Sequence, residues 1–540
     1  MPTRRSASSR QVSPATLQIA APAKREGVQT VAFVSLGCPK NLVDSEKMLG
    51  LLAEDGIAIT ADHEQADAIV INTCGFLEAS KTESLEVIRQ AIQDKLAAST
   101  SGQTKRVIVA GCLVQRHRAE LLKEVPEIDA LVGVFDRQNI VAAVRGVGGG
   151  IASQQVPAEG LGKFHAVSQF ISKPTKEAIG KGYRDNDGAR LRLTPRHYAY
   201  LRISEGCNQG CTFCTIPSIR GRMRSKPLPD ILTEARELIA DGVFELNLIG
   251  QDTTSYGSDI GYDAPGEGLP GLLRALDKLA GDNIPGGGWV RLMYAYPSCF
   301  TDDMIKTLAD CRHVVKYIDM PLQHISNDIL HAMRRKVTRQ QTETLLGKLR
   351  TWVPGITLRT TLISGFPGET EAHHQELLQF VRDFEFDCLG VFEYSPEPGT
   401  PAGRLHATKP ISARVAAARK EEIMLAQQQI VRRKNAAMVG RELLVLVDEA
   451  IKERIVSGAG PRRTIRHSAL GRHAGQAPEI DGRVIVPLTE AVPGQVMKVK
   501  VRSYDNYDLI AKRIAVSTIK HVQWPARGSK RLSLPVLPIR

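Results

Sequence analysis

Three cysteines stand within one nine-residue stretch, Gly206-Cys207-Asn208-Gln209-Gly210-Cys211-Thr212-Phe213-Cys214. A stretch that short can gather three thiols only by wrapping them round one centre. Soft thiolate ligands favour iron–sulfur clusters or zinc. Zinc motifs usually pair two-residue gaps and bring a fourth Cys or His, whereas here neither follows closely after Cys214. Three protein ligands leave the fourth iron of a 4Fe-4S cluster open. An open iron can chelate a small ligand that carries adjacent amino and carboxylate groups.

The sequence around this loop alternates strand-length apolar runs with helix-like stretches. Candidate strands lie at 200–204, 243–249, 289–293, 317–320, 357–363 and 388–394, with helical patterns between them. Such alternation predicts a parallel sheet, and about six units predict a closed or partly closed barrel. The cysteine loop then falls at the carboxyl end of the first strand, where such folds carry their active sites. A charged helical segment at 412–438 leads to a last region of short strands, predicted as a small β barrel.

Upstream, one design recurs three times. Apolar runs at 31–36, 68–71 and 106–110 lead into Cys38, Cys74 and Cys112, and each is followed by a helix-like stretch, at 42–54, 77–96 and 116–123. Strands buried on both faces imply a parallel α/β sheet whose carboxyl edge binds ligands. The three cysteines are 36 and 38 residues apart, yet this topology brings them to one edge. Ligation of a cluster or metal competes here with the plainer reading of three buried free thiols. The chain is therefore read as α/β and multidomain: an extension at 1–28, a first α/β domain at 29–143, a linker at 144–195, a barrel with a helical bridge at 196–438, an all-β domain at 439–513 and a basic tail at 514–540.

Composition narrows the setting. No run approaches the ~18 apolar residues of a membrane span. The opening 25 residues are basic and lack the apolar core of a secretory signal. Nine cysteines in 540 residues are too few for a disulfide scaffold, which predicts a reducing, cytoplasmic setting. The net charge of +13 is compatible with an RNA or ribosomal partner but does not require one.

With its aromatic before the last Cys, the 207–214 loop resembles the hallmark of the radical S-adenosylmethionine superfamily. The whole arrangement, from residue 29 to 513, resembles the methylthiotransferases of that superfamily. These combine a first domain with three further cluster-binding cysteines, a partial TIM-like radical barrel and a small TRAM-like β domain. The resemblance implies two 4Fe-4S clusters, one on Cys207, Cys211 and Cys214 and one on Cys38, Cys74 and Cys112, with S-adenosylmethionine as cofactor. It places Phe213, Gln251, Gly365 and Pro367 near that cofactor.

Subfamily strings narrow it further. The chain reads Asn72-Thr73-Cys74-Gly75-Phe76-Leu77-Glu78, Ile216-Pro217-Ser218-Ile219-Arg220-Gly221, Gln251-Asp252-Thr253-Thr254-Ser255-Tyr256-Gly257 and Asp319-Met320-Pro321-Leu322-Gln323-His324-Ile325-Ser326. These look like the branch that methylthiolates an aspartate of ribosomal protein twelve of the small subunit. The tRNA branches tend to read Gln-Asn-Val at 251–253 and Gln-Ser-Gly at 323–325. What the resemblance implies is hydrogen abstraction from the aspartate β carbon, followed by transfer of a methylated sulfur species from the second cluster. A reductant protein and a sulfur donor are implied as partners. Arg220, in a basic run with Arg222, Arg224 and Lys226, is expected to grip RNA phosphates or an acidic protein surface, or to be a solvated loop. Asp252 and His324 are expected to touch substrate or cofactor, or to be hydrogen-bonded scaffold. The alternatives are a tRNA adenosine methylthiotransferase and an iron–sulfur RNA-binding protein without turnover.

Overall fold

The computed structural model describes residues 27–100, 105–148, 167–172, 187–456 and 463–516. The expected extension at 1–28 and basic tail at 514–540 lie outside the described residues, apart from 27, 28 and 514–516.

The first module is a six-stranded parallel sheet. Its strands are β1 (Thr30–Ser35), β2 (Ala58–Thr60), β3 (Ala68–Thr73), β4 (Arg106–Gly111), β5 (Ala130–Val132) and β6 (Ser168–Phe170), in the order β2-β1-β3-β4-β5-β6. The central runs are buried along their length because each face has its own core. Val34, Ile69, Ile71, Val107 and Val109 face one side, and Phe33, Val70, Ile108 and Val132 the other. Strand β6 comes from the stretch expected to be a linker and pairs in parallel with β5. The helix expected at 116–123 is two short helices, Cys112–His117 and Ala119–Glu124, broken at Arg118, whose φ of 46° is left-handed.

The second module begins with β7 (Tyr198–Arg202), then a two-stranded ribbon of β8 (Ser204–Glu205) and β9 (Arg224–Ser225). It continues through β10 (Glu245–Ile249), β11 (Trp289–Leu292), β12 (Val314–Asp319), β13 (Thr357–Ser364) and β14 (Cys388–Glu393). These form an open parallel sheet in sequence order, β7-β10-β11-β12-β13-β14, a partial barrel. Alternate side chains such as Leu201, Leu246, Leu248, Leu292, Leu358 and Leu389 join the helices in one large core. The opposite pleat carries Tyr198, Glu245, Arg291, Tyr317 and Arg359.

The third module is a closed five-stranded barrel, β15 (Glu442–Val456), β16 (Arg463–Arg472), β17 (Val484–Pro487), β18 (Val496–Asp505) and β19 (Asp508–Val516). Strand β16 lies within residues 458–482, a stretch of the sequence rich in Gly and Arg. The segment that follows it stoppers the amino end of the parallel sheet. Arg472 and Arg291 share Glu245 at 2.7 Å each, Tyr317 donates to Asp481 at 2.8 Å, and Tyr198 donates to Glu479 at 2.7 Å. The carboxyl end is left to the first module, as strand-end chemistry requires. Among the described residues no helix is long and apolar enough to cross a membrane.

Candidate cofactor site between two cysteine sets

The β8–β9 ribbon clamps the base of the loop carrying Cys207, Cys211 and Cys214, with Ser204 opposite Ser225 and Glu205 opposite Arg224. Inside the loop, thiol sulfurs are already acceptors. The Gln209 N–H donates to Cys207 Sγ at 3.4 Å and the Ile216 N–H to Cys214 Sγ at 3.4 Å. Burial pushes the Cys207 thiol up to about 11 and the Cys214 thiol up to about 12. The protein alone thus favours neutral thiols there, and binding of metal would have to displace their protons.

Cys38, Cys74 and Cys112 converge as the topology requires. Cys38 precedes the helix Pro39–Glu54, Cys74 follows β3, and Cys112 opens the helix after β4. The loops touch: a Cβ on Gly37 would lie 2.8 Å from Cys74 Cβ, and one on Gly75 would lie 2.7 Å from Leu113 Cα and 3.3 Å from the Cys112 carbonyl carbon. Only glycine permits such close approach. Burial raises the Cys74 thiol and pushes Cys112 up to about 12. Among the described residues no three His, Cys, Asp or Glu side chains gather tightly enough for one metal ion.

The two sets are joined by side chains. Arg220, six residues beyond Cys214, is 1% exposed. Its Nη2 donates to Asn41 Oδ1 at 2.6 Å and Cys112 Sγ at 3.2 Å, and its Nη1 donates to Glu205 at 3.0 Å. Glu205 also accepts from Arg202 at 2.6 Å and from Gln251 Nε2 at 2.7 Å. Burial alone would raise the Glu205 carboxyl, but Arg220 and Arg202 hold it well below the usual range. Lys40 Nζ stands 3.6 Å over the Tyr294 ring, and Arg116 ties the Gly75 carbonyl to Glu397 at 2.8 and 2.6 Å. The mouth of the partial barrel, at the carboxyl ends of its strands, is thereby covered by the edge of the first module that carries Cys38, Cys74 and Cys112.

Other expected site residues separate into those that face this mouth and those spent on scaffold. The expectation that Arg220 grips a partner surface is corrected: it is buried and saturated. Lys226 likewise pairs inside with Asp187 and Glu234, at 2.6 and 2.7 Å, while Arg222 is exposed. Asp252 is 1% exposed and accepts from Gln209, Thr254 and Ser255 at 2.8, 2.8 and 2.7 Å, so it braces the cysteine loop and has no oxygen free for a substrate. His324 Nδ1 accepts the Ser326 N–H at 3.0 Å, which leaves the proton on Nε2. Phe213 packs against the small cluster formed by Ile329, Met333, Phe366 and Ala402. Pro367 is buried, and the Gly365 N–H donates to Glu369 at 3.0 Å.

A polar cofactor fits this mouth. Both side-chain atoms of Asn247, Gln251 Oε1 and His324 Nε2 are buried without a hydrogen-bond partner, and buried polar groups are seldom left so. Sequence reasoning missed Arg335, whose Nη1 lies 3.6 Å from Cys211 Sγ while its guanidinium stacks 4.0 Å over Tyr296. It also missed Cys299, whose sulfur lies 3.5 Å from Gln209 Nε2. No local signal distinguished either. Of the other thiols left without ligand roles, Cys311 packs in the large core and Cys388 is half-buried.

A parallel α/β cap, a partial barrel with a three-cysteine loop at its first strand end, and a small β barrel together define a radical S-adenosylmethionine protein. Family models agree: residues 30–133 match Uncharacterized protein family UPF0004, 201–381 the Radical SAM superfamily and 439–514 the TRAM domain. The chain is 42% identical over 492 residues to the ribosomal protein uS12 methylthiotransferase RimO of Symbiobacterium thermophilum, covering 91% of this chain and 92% of that one. It is 40% identical over 482 residues to the protein of the same name from Sorangium cellulosum, covering 89% and 90%. The chain belongs to the ribosomal protein uS12 methylthiotransferase family. Among solved structures, the radical S-adenosylmethionine methyltransferase TsrM of Kitasatospora setae matches with a TM-score of 0.50 at 15% identity, covering 69% of this chain and 75% of that one, a likeness of fold alone. The superfamily brings S-adenosylmethionine and an iron–sulfur cluster with it.

Proposed function

We propose that this chain inserts a methylthio group at the β carbon of an aspartate in ribosomal protein uS12, using S-adenosylmethionine and a sulfur donor. The observation that carries the reading is that Arg220, at the end of the helix leaving the 207–214 loop, donates to Cys112 Sγ at 3.2 Å and so ties the segment after one cysteine set to the other. It is supported by the relatives that share the name over nine-tenths of the chain. In this reading Cys207, Cys211 and Cys214 hold one 4Fe-4S cluster and Cys38, Cys74 and Cys112 a second. When bound, these groups and the cofactor supply hydrogen-atom abstraction from an unactivated C–H bond and a sulfur to replace the hydrogen.

The chain's own residues orient and exclude. Gln251 and Asn247 offer unpartnered polar atoms to the methionyl end of the cofactor, while Phe213 and Pro367 bound it. The first module, strapped down by Lys40, Arg116 and Arg220, keeps both centres in one enclosed space, since a radical that had to travel would be quenched. The third module matches the TRAM domain, which supports contact with RNA or protein, and the reading requires a reductant protein as partner in the cytoplasm.

The test is an anaerobic incubation of cluster-loaded protein with S-adenosylmethionine, sulfide and dithionite. Ribosomal protein uS12 and bulk tRNA are offered side by side and read by mass. A gain of about 46 Da on an aspartate, the mass of S plus CH2 expected of this chemistry, is the expected result. The same gain on a tRNA nucleoside alone overturns it.

A further inference from the structure

Arg220 is placed where a surface arginine would be wasted. It ends the short helix Ile216–Arg220 that leaves the 207–214 loop, yet its guanidinium crosses into the first module and donates to Cys112 Sγ at 3.2 Å. Its position is over-determined. Asn41 Oδ1 lies 2.6 Å from Nη2, Asp44 Oδ2 lies 3.0 Å from Nη2, and Glu205 Oε2 lies 3.0 Å from Nη1. Asn41 is itself fixed, since its Nδ2 donates to the Thr73 and Leu36 carbonyls at 2.8 and 3.1 Å. A guanidinium held on four partners from both modules cannot swing away from the sulfur, because its planar fork is pre-organised for several simultaneous bonds.

The sulfur it touches is in the set proposed for the second cluster, not the set beside Arg220 in sequence. Hydrogen bonds to ligand sulfurs and nearby charge are levers that set the reduction potential of an iron–sulfur centre. Adding an electron makes the centre more negative, and a buried cation donating to its sulfur stabilises that state. The Glu205 carboxylate, shared with Arg202 and Gln251, links the same guanidinium to the cofactor side of the mouth.

We infer that Arg220 is a positioning residue that raises the reduction potential of a cluster on Cys38, Cys74 and Cys112 through its hydrogen bond to Cys112, in addition to docking the two modules. The inference rests on the proposal that these cysteines hold a cluster. Arg220 thereby couples the segment that carries the radical-forming loop to the redox poise of the sulfur-bearing centre.

The experiment uses full-length chain with Cys207→Ala, Cys211→Ala and Cys214→Ala, so that only the second set can load. The midpoint potential is followed by electron paramagnetic resonance in this background and with Arg220→Lys or Arg220→Gln added. Arg220→Gln is expected to lower the potential by at least a tenfold change in the one-electron equilibrium, about 59 mV, and Arg220→Lys to restore part of it. A second readout needs no Arg220 variant: in the same background with isotopically labelled arginine, the reduced cluster is expected to show magnetic coupling to a guanidinium nitrogen. An unchanged potential in a fully loaded Arg220→Gln protein, or no nitrogen coupling, overturns the inference and leaves the cluster reading intact. Failure of the background chain to bind about four irons overturns the reading beneath it, and the inference with it.

Discussion

Lys40 Nζ stands 3.6 Å from the centroid of the Tyr294 ring, joining the residue two places beyond Cys38 to the carboxyl end of β11. Lys40 is 7% exposed, and Tyr294 holds a left-handed backbone with φ 59° to present its ring. A desolvated cation–π contact contributes about 2 kcal/mol. Tyr294→Ala is therefore expected to loosen the first module over the mouth by about that amount. Hydrogen exchange of residues 38–46 checks it: protection should fall there while the strands of the first sheet stay protected, and unchanged protection would show the contact to be incidental.

Gly37 meets Cys74 more closely than any side chain allows. A Cβ at Gly37 would stand 2.8 Å from Cys74 Cβ and 3.2 Å from its Sγ, and the backbone φ of 90° is itself unfavourable for alanine. Gly37→Ala should therefore displace Cys38 from Cys74 and abolish loading of the second set while the 207–214 loop still loads. Iron and sulfide content after anaerobic reconstitution should fall to about half. Full loading would mean that these three cysteines do not share one centre.

Much of this arrangement was legible because parallel strands put their carboxyl ends on one edge. Runs ending at Cys38, Cys74 and Cys112 could be brought together without knowing any contact, and the β7 strand placed Cys207 in the same way. The fate of Arg220 was not legible. Its partners Asn41, Asp44 and Glu205 come from two modules, and a run of basic residues after a loop looks the same whether solvated or buried. Strand β6 escaped because Ser168-Gln169-Phe170 carries no period of its own and exists only by pairing with β5. Strand β16 escaped because much of it reads as polar and basic, Arg463, Arg466, His467 and Arg472 among them, which resembles a loop until β15 and β17 satisfy its backbone.

His324 and His473 predict a pH dependence of stability. Burial pushes His324 down to about 3, with His373, His374 and Arg419 adding to the effect, and pushes His473 down to about 4, with Arg291 helping. Unfolded, each takes a proton near its ordinary 6.5. Between those values the unfolded chain binds more protons than the native one, so stability rises with pH. Stability should thus be complete above about pH 7 and fall as pH drops through about 6. Glu369, whose carboxyl is raised by burial, acts in the opposite sense nearer its ordinary range. Melting temperature against pH checks this: His473→Gln should flatten the decline, and an unchanged slope would exclude His473 as its source.

Glu245 carries the seam between the second and third modules. It is wholly buried at the start of β10, with Arg291 Nε on one oxygen and Arg472 Nη1 on the other, each at 2.7 Å. Arg472 in turn holds Asp448 at 2.8 Å. Replacing Glu245 by Ala leaves two buried guanidinium groups with one carboxylate fewer, and stranding a buried charge costs about 3–5 kcal/mol. Arg291 has no other carboxylate within ion-pair distance among the described residues, keeping the Ala474 carbonyl at 2.9 Å and the Tyr317 ring at 4.6 Å; Arg472 keeps Asp448. The damage should therefore fall on the parallel sheet more than on the small barrel. Glu245→Ala is expected to split a single unfolding transition into two, the sheet melting first. A change of both charges, Glu245→Gln with Arg291→Met, should recover much of the loss, because a buried pair exchanged for neutral groups is often close to neutral in stability. One cooperative transition in Glu245→Ala, shifted by less than about 1 kcal/mol, would mean that the seam is held by Tyr317, Tyr198 and their carboxylates instead.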